Sequence, residues 1–359
     1  MKIFGNDFSR EEIKKRTGDI TQLGGLRFFE FSDGMSKGVR AAGMKSINAG
    51  IDMTVILDRA MDISAFSYKG IPLVWRSCTG ETAPSFYEPG KDEWLRSFFG
   101  GLLTTCGLTY FGDPATIGSE EFGLHGRIAN VAAQNISSKA YWENDEYIME
   151  ISGKVRQVKA LTEKLELSRC IRLFSFESLV SIEDSIENFG FLPSPLMVLY
   201  HMNFGWPLLD DKAELYVGKG ETIPLNEDAE KNLKVFNSFI NPVNDFGPEV
   251  FAHDIKTDND GFCYAALVNR NLDMGNGLGV GLKFSKENLP YLIEWKNFNP
   301  GEYVLGLEPG NAFVSGISKE KEAGRVRTIN PGEKVEMKIE IRILSGHNEI
   351  DDYLRQHIK

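Results

Sequence analysis

Several things this chain is short of narrow the field. Its 359 residues hold four cysteines, Cys78, Cys106, Cys170 and Cys263, far apart and with no C-x-x-C pair. Paired zinc-ligand spacing is therefore missing, and buried free thiols in a reducing cytosol are the expectation. Five histidines include no H-x-H and no H-E-x-x-H, so no metal site is expected. No basic block offsets the net charge of −11, so the electrostatic footprint of a nucleic-acid binder is lacking. No apolar run reaches the about 18 residues of a membrane span. The opening "MKIFGNDFSREEIKK" has no apolar signal core. G-x-S-x-G is absent, which leaves a hydrolase nucleophile elbow without support. The glycines of "MGNGLGVGLKF" precede a strand, not a helix, so they read as a turn and a bulge, not as a dinucleotide loop.

What is present is mostly strand. "GIDMTVILDRAMDISAFSYKGIPLVW", "YIMEISGKVRQV", "LELSRCIRLF", "PLMVLYHMNF", "YLIEWKNF", "EYVLGLEP" and "VEMKIEIRIL" are short runs rich in β-branched or aromatic residues. Gly, Pro, Asn or Asp clusters bound most of them. No βαβ rhythm, tandem repeat or composition break appears. The pattern predicts an all-β chain, a large antiparallel β-sandwich forming one domain over 1–359. Short helical extensions are expected at 1–20, where Ser9 and Glu12 form a capping-box pattern, and at 347–359, with Asn348 as N-cap. The stretch 76–122, rich in Gly, Thr and aromatics, is too apolar for a disordered linker and predicts an ordered loop lining a site.

Alternation then sorts the candidate chemistry, because residues i and i+2 of a strand share a face. In "PLMVLYHMNF", His201 and Asn203 point the same way at the end of an apolar strand. His201 is either a structural histidine bonded to a loop or an acid–base group over an opening. In "EFGLHGRIAN", His125 lies between glycines, with Arg127 offering a fork of donors; a glycine-rich turn is the plain alternative. In "YVLGLEPGN", Val304, Gly306 and Glu308 share a face while Tyr303, Leu305 and Leu307 turn to the core. Glu308 is either an exposed residue before a turn or a partly desolvated base. Arg59, in "ILDRAMDIS", is a charge inside an apolar strand that needs a partner or a ligand. His253, His347 and His357 read as surface residues.

Taken in order, "GLHGRIAN", "YHMNFGWPLL", "LPYLIEWKNF" and "YVLGLEPGN" resemble the aldose 1-epimerase (galactose mutarotase) superfamily, and most closely its divergent aldose-epimerase-like branch. "LDRAMDIS" and "INPGEKVEMKIEIRIL" carry the likeness across roughly residues 20–345. The resemblance implies a β-supersandwich with a sugar cleft on one concave sheet. It implies interconversion of the α and β anomers of a free aldose in the cytoplasm, without metal or organic cofactor. The partner is then a small-molecule sugar, with no nucleic acid and no membrane, and the protein a monomer or homodimer. It implies Glu308 as base and His201 as acid, protonated while Glu308 is ionised. His125, Arg59, Arg127 and Asn203 would bind ring hydroxyls, and Trp295 or an aromatic residue of 86–111 would stack on the sugar. Three features depart from the better-known galactose enzymes, one being the Pro-Gly that follows Glu308. Leu124 stands where they carry an asparagine before the histidine, and their mid-chain aspartate corresponds to Asp245, Asp254 or Asp258. Two alternatives stay open: a sugar-binding protein without chemistry, and an epimerase of a phosphorylated or sulfonated sugar, for which Arg59, Arg76 and Arg127 are the available cations.

Overall fold

A computed structural model describes residues 1–3 and 5–358. The period-two runs form three main antiparallel sheets. The largest has eight strands, in spatial order Gln134–Glu143, Glu146–Val158, Lys164–Phe174, Leu179–Asn188, Lys334–Ser345, Leu278–Ser285, Phe262–Asn269 and Ala213–Val217. The second runs Gly220–Pro224, Glu249–Ile255, Tyr291–Asn299, Glu302–Gly310, Ser194–Gly205 and Arg327–Ile329, and Thr104–Leu108 also pairs with Ser194–Gly205. The third is a five-stranded meander from Gly24–Glu30 to Ile71–Pro72.

The sheets pack because each turns an apolar face inward. Ile151, Ile171 and Ile182 of the first, Tyr200, Met202 and Leu305 of the second, and Met53, Val55 and Phe66 of the third share one continuous core. Each fully buried aliphatic or aromatic side chain contributes about 1.5–3 kcal/mol, which is what offsets the ordering of so long a chain. The architecture is the expected all-β sandwich.

Ser194–Gly205 is the exception to half-buried alternation: it is buried on both faces. Leu196, Val198, Tyr200, Met202 and Phe204 enter the main core. Met197 and Leu199 enter a second cluster with Trp94, Phe98, Phe111 and Ile293. The cover on this second face comes from the aromatic-rich stretch after residue 76, folded into short turns at Pro84–Phe86 and Glu93–Ser97.

Smaller expectations divide. Ser9 and Glu12 form the capping box of the helix Arg10–Arg16. At the other end the cap position is Gly346, at φ +93°, and Asn348 lies inside the helix His347–His357; glycine makes that left-handed entry without steric cost. Ile350, Tyr353 and Leu354 pack that helix against Tyr264 and Val268. The glycine-rich run before Leu278–Ser285 is a turn, but the strand pairs in unbroken register, with no bulge.

Candidate active site

Three neighbouring strands build the floor. Leu199 lies opposite Gly310 and Met202 opposite Leu307 across one strand pair, so His201 and Glu308 emerge side by side on the face away from the core. Their Nδ1 and Oε1 atoms are 3.3 Å apart, with both side chains almost wholly buried. Among the described residues neither atom has a hydrogen-bond partner in favourable geometry. Gly306 is what lets Glu308 lie this way, since a Cβ there would stand 2.1 Å from Oε1. Trp295 sits across from Gly306 on the next strand, its ring 5.5 Å from that of His201.

His125 arrives from the covering segment. Its piece of chain is a turn, not a strand: His125 has φ +56°, its N–H donates to Gly112 and its carbonyl accepts from Gly107. The flanking glycines are places of close backbone approach. A Cβ on Gly126 would meet the carbonyls of Gly107 and Tyr110 at 2.6 Å, and one on Gly123 would meet the Gly90 backbone at 2.8 Å. They let backbones pack closely, and that packing sets the His125 ring 5.6 Å from His201 and 4.8 Å from Trp94. The His125 Nδ1 also lacks a partner among the described residues.

The three polar groups line a cavity of about 230 Å³. Its walls are Trp94, Leu95, Phe98, Leu124, Val250, Ile293, Trp295 and Val314, with Gly112 and Asp113 at one side. Larger grooves exist, one of about 590 Å³ beside Arg27, Phe29 and Asp52, but none of their lining side chains is buried and unpartnered. An unsatisfied buried polar atom costs stability, so three in one cavity make it the candidate place for a ligand's polar groups.

Burial sets the electrostatics. It raises Glu308 well above the ordinary carboxyl range. It lowers His201 well below the imidazole range, with His125 adding to the effect, and it pushes His125 down to about 4. Burial thus favours the uncharged forms, a carboxylic acid and a neutral imidazole, over the carboxylate and imidazolium that the resemblance implied. Among the described residues no three His, Cys, Asp or Glu converge as a metal ion would require.

The remaining expected ligands lie elsewhere. Arg59 is a correction: it sits in the turn after Ile51–Ile56, fully enclosed, and donates to the carbonyls of Ala129, Thr82 (2.8 Å) and Ser97 (2.7 Å). Its partners are backbone oxygens of the covering segment, so it is a clamp on that segment. Arg127 is exposed and leans over Tyr87, outside the cavity lining. Asn203 is buried, donates to the carbonyls of Gly101 and His201, and does not line the cavity. Asp254 bonds Lys286, Asp258 bonds Tyr264, and Asp245 is exposed; none lines the cavity. His253 is not on the surface: it is buried against Glu294 at 2.9 Å. Trp94 and Phe98 fall within the 86–111 stretch singled out for an aromatic wall, but Asp113 was missed. Its context, "YFGDPAT", carries no signal beyond a turn.

Comparison with known proteins agrees with this geometry at the level of fold. The chain belongs to the DUF4432 family, described only as a domain of unknown function, whose model matches residues 36–343. No curated protein matches. Among solved structures it is similar to a Klebsiella pneumoniae protein named as a candidate aldose 1-epimerase, at 23% identity and TM-score 0.87, covering 96% of this chain and 89% of that one. It is also similar to a galactose mutarotase-like protein of Clostridium acetobutylicum, at 15% identity, TM-score 0.60 and coverages of 90% and 99%. A galactose mutarotase related enzyme of Lactobacillus acidophilus gives 13%, 0.56, and coverages of 85% and 98%. The fold is thus galactose mutarotase-like.

Proposed function

We propose that the protein is an aldose 1-epimerase that interconverts the α and β anomers of a free aldose. One observation carries this reading: Glu308 Oε1 and His201 Nδ1, buried, unpartnered and 3.3 Å apart, on the floor of an aromatic-walled cavity of monosaccharide size. Anomer exchange breaks and remakes the C1–O5 bond. One group takes the proton from the O1 hydroxyl while another gives a proton to O5, and the ring opens to an aldehyde. Rotation about C1–C2 and the reverse transfers close it on the other face. O1 and O5 share one carbon, so the acceptor and the donor must be neighbours, as these two are.

The pair needs one proton in total. Held on Glu308 it gives the uncharged resting pair; moved to His201 it gives a carboxylate base and an imidazolium acid. Ring closure exchanges the roles. His125 offers its free Nδ1 to a ring hydroxyl, and Trp94 or Trp295 offers a face to the sugar's C–H side. Every one of these groups comes from a single chain, so the reading needs no partner copy. Nor does it need a metal or organic cofactor. The scarcity of cysteine pairs fits a cytoplasmic setting.

The test is exchange NMR on a panel of free aldoses, with wild type compared against Glu308→Gln. Faster α/β exchange with wild type alone supports the proposal. Sugar binding with exchange left at the rate in water would instead make this a binding protein on the same fold.

A further inference from the structure

We propose that the cavity selects an uncharged deoxy-aldose: a pyranose with fewer hydroxyls than a hexose and with no phosphate, sulfonate or carboxylate group. This deepens the mutarotase reading and rests on it. The argument is an inventory of what the walls can bond. Glu308 and His201 are occupied by the two oxygens of the anomeric carbon. Beyond them the polar side chains among the lining residues are His125 with its free Nδ1, Asp113, and Trp94 and Trp295 with one indole N–H each. Leu95, Phe98, Leu124, Val250, Ile293 and Val314 make up most of the rest. A hydroxyl held against leucine, valine and isoleucine gives up its water without gaining a partner. A methyl or methylene in the same place gives up nothing and fills the space.

Charge leads to the same class. Among the described residues no Lys or Arg lines the cavity, and its rim carries Asp113. The arginines that an anionic sugar would need are committed elsewhere. Arg59 has its donors on three carbonyls, Arg76 pairs with Glu81, and Arg127 lies over Tyr87. An anion entering would lose its hydration to apolar walls and a like charge.

Exchange NMR on matched sugars decides the matter: galactose against 6-deoxygalactose, mannose against 6-deoxymannose, glucose against 2-deoxyglucose, with galacturonate and galactose 6-phosphate as the anions. In at least one pair the deoxy sugar should exceed its parent by about tenfold or more in kcat/KM, the scale on which an apolar pocket separates a hydroxyl from its absence. The anions should show no enzyme-dependent exchange. Parents faster than or equal to their deoxy partners in every pair, or turnover of an anion at a comparable rate, overturns the inference while leaving the mutarotase reading intact. No acceleration with any sugar overturns both. Leu124→Asn is the second handle. It puts a hydrogen-bonding group into the wall and should shift the deoxy-to-parent ratio several-fold toward the parent; an unchanged ratio rules out the wall as the selector.

Discussion

Neighbouring residues of one strand, Tyr200 and His201, belong to two buried polar clusters that differ in one respect. On the core side, Tyr200 donates to Asp184 at 2.7 Å. Arg169 grips Asp184 through Nε and Nη2, and through Nη1 it reaches Asp62 at 2.9 Å and the Ala60 carbonyl at 3.1 Å. Asp62 also accepts from the Thr105 hydroxyl at 2.6 Å and the Thr105 N–H at 2.9 Å. On the outer face, His201, Glu308 and His125 each leave a buried atom without a partner. Both clusters have left water, so burial alone does not single out a functional site. What separates them is satisfaction: the inner cluster completes its own bonds and ties the five-stranded sheet to the other two, whereas the outer one leaves three buried atoms without a partner.

The comparison breaks hardest on activity. Glu308→Gln and His201→Asn should each lower anomer exchange by about 10²–10⁴-fold, with circular dichroism unchanged. Full activity in both variants would remove the outer cluster from the chemistry. Next in size is Arg169→Met, which strands two buried carboxylates. It should cost about 3–5 kcal/mol in denaturant unfolding, while activity per folded molecule persists. Loss of activity without loss of stability would mean that the inner cluster, too, is functional.

Gly306→Ala sharpens the contrast within the site. The new methyl displaces the Glu308 carboxylate, and a shift of this kind should lower exchange by up to about 10²-fold with little change in melting temperature. The smallest effect is on stability against pH. Glu308 has a raised folded value, so its favourable contribution is present below the ordinary carboxyl range and is lost as pH rises. Glu308→Gln should therefore melt higher than wild type at pH 8, with the gain shrinking by pH 5. His125 has the opposite sign. Its folded value of about 4 makes the unfolded chain take up the proton first as pH falls below about 6.5, so stability declines from there toward pH 4. His125→Gln should flatten that decline in melting curves.

Much of the site was legible before any coordinates. Alternation put His201 on one face of its strand and Glu308 opposite the core-facing Tyr303, Leu305 and Leu307, which do enter the core. The aromatic density of the stretch after residue 76 marked it as ordered cover, and Trp94 and Phe98 are in the wall. The failures have physical causes. Arg59 in an apolar context does need partners, but the sequence has no way to say that they are three backbone carbonyls 23, 38 and 70 residues away. His253 looked polar and exposed because its partner, Glu294, lies 41 residues on. His125 and its glycines read as either an extended piece or a glycine-rich turn; they are a turn, held by backbone contacts with Gly107 and Gly112 that the sequence does not show.

By itself, then, the sequence determined the antiparallel β architecture and the faces of the strands, because side-chain alternation is a local property of extended backbone. The pairing of His201 with Glu308 entered only through the family resemblance, since each stretch alone also fitted a structural role. His125 was already implied by the resemblance, but only the tertiary structure decided that the pair is dry and unpartnered, that Asp113 lies beside it, and that no arginine does. Those outcomes depend on which distant segments cover the outer face of one sheet, and burial by a distant segment is what moves a proton affinity or uses up a guanidinium.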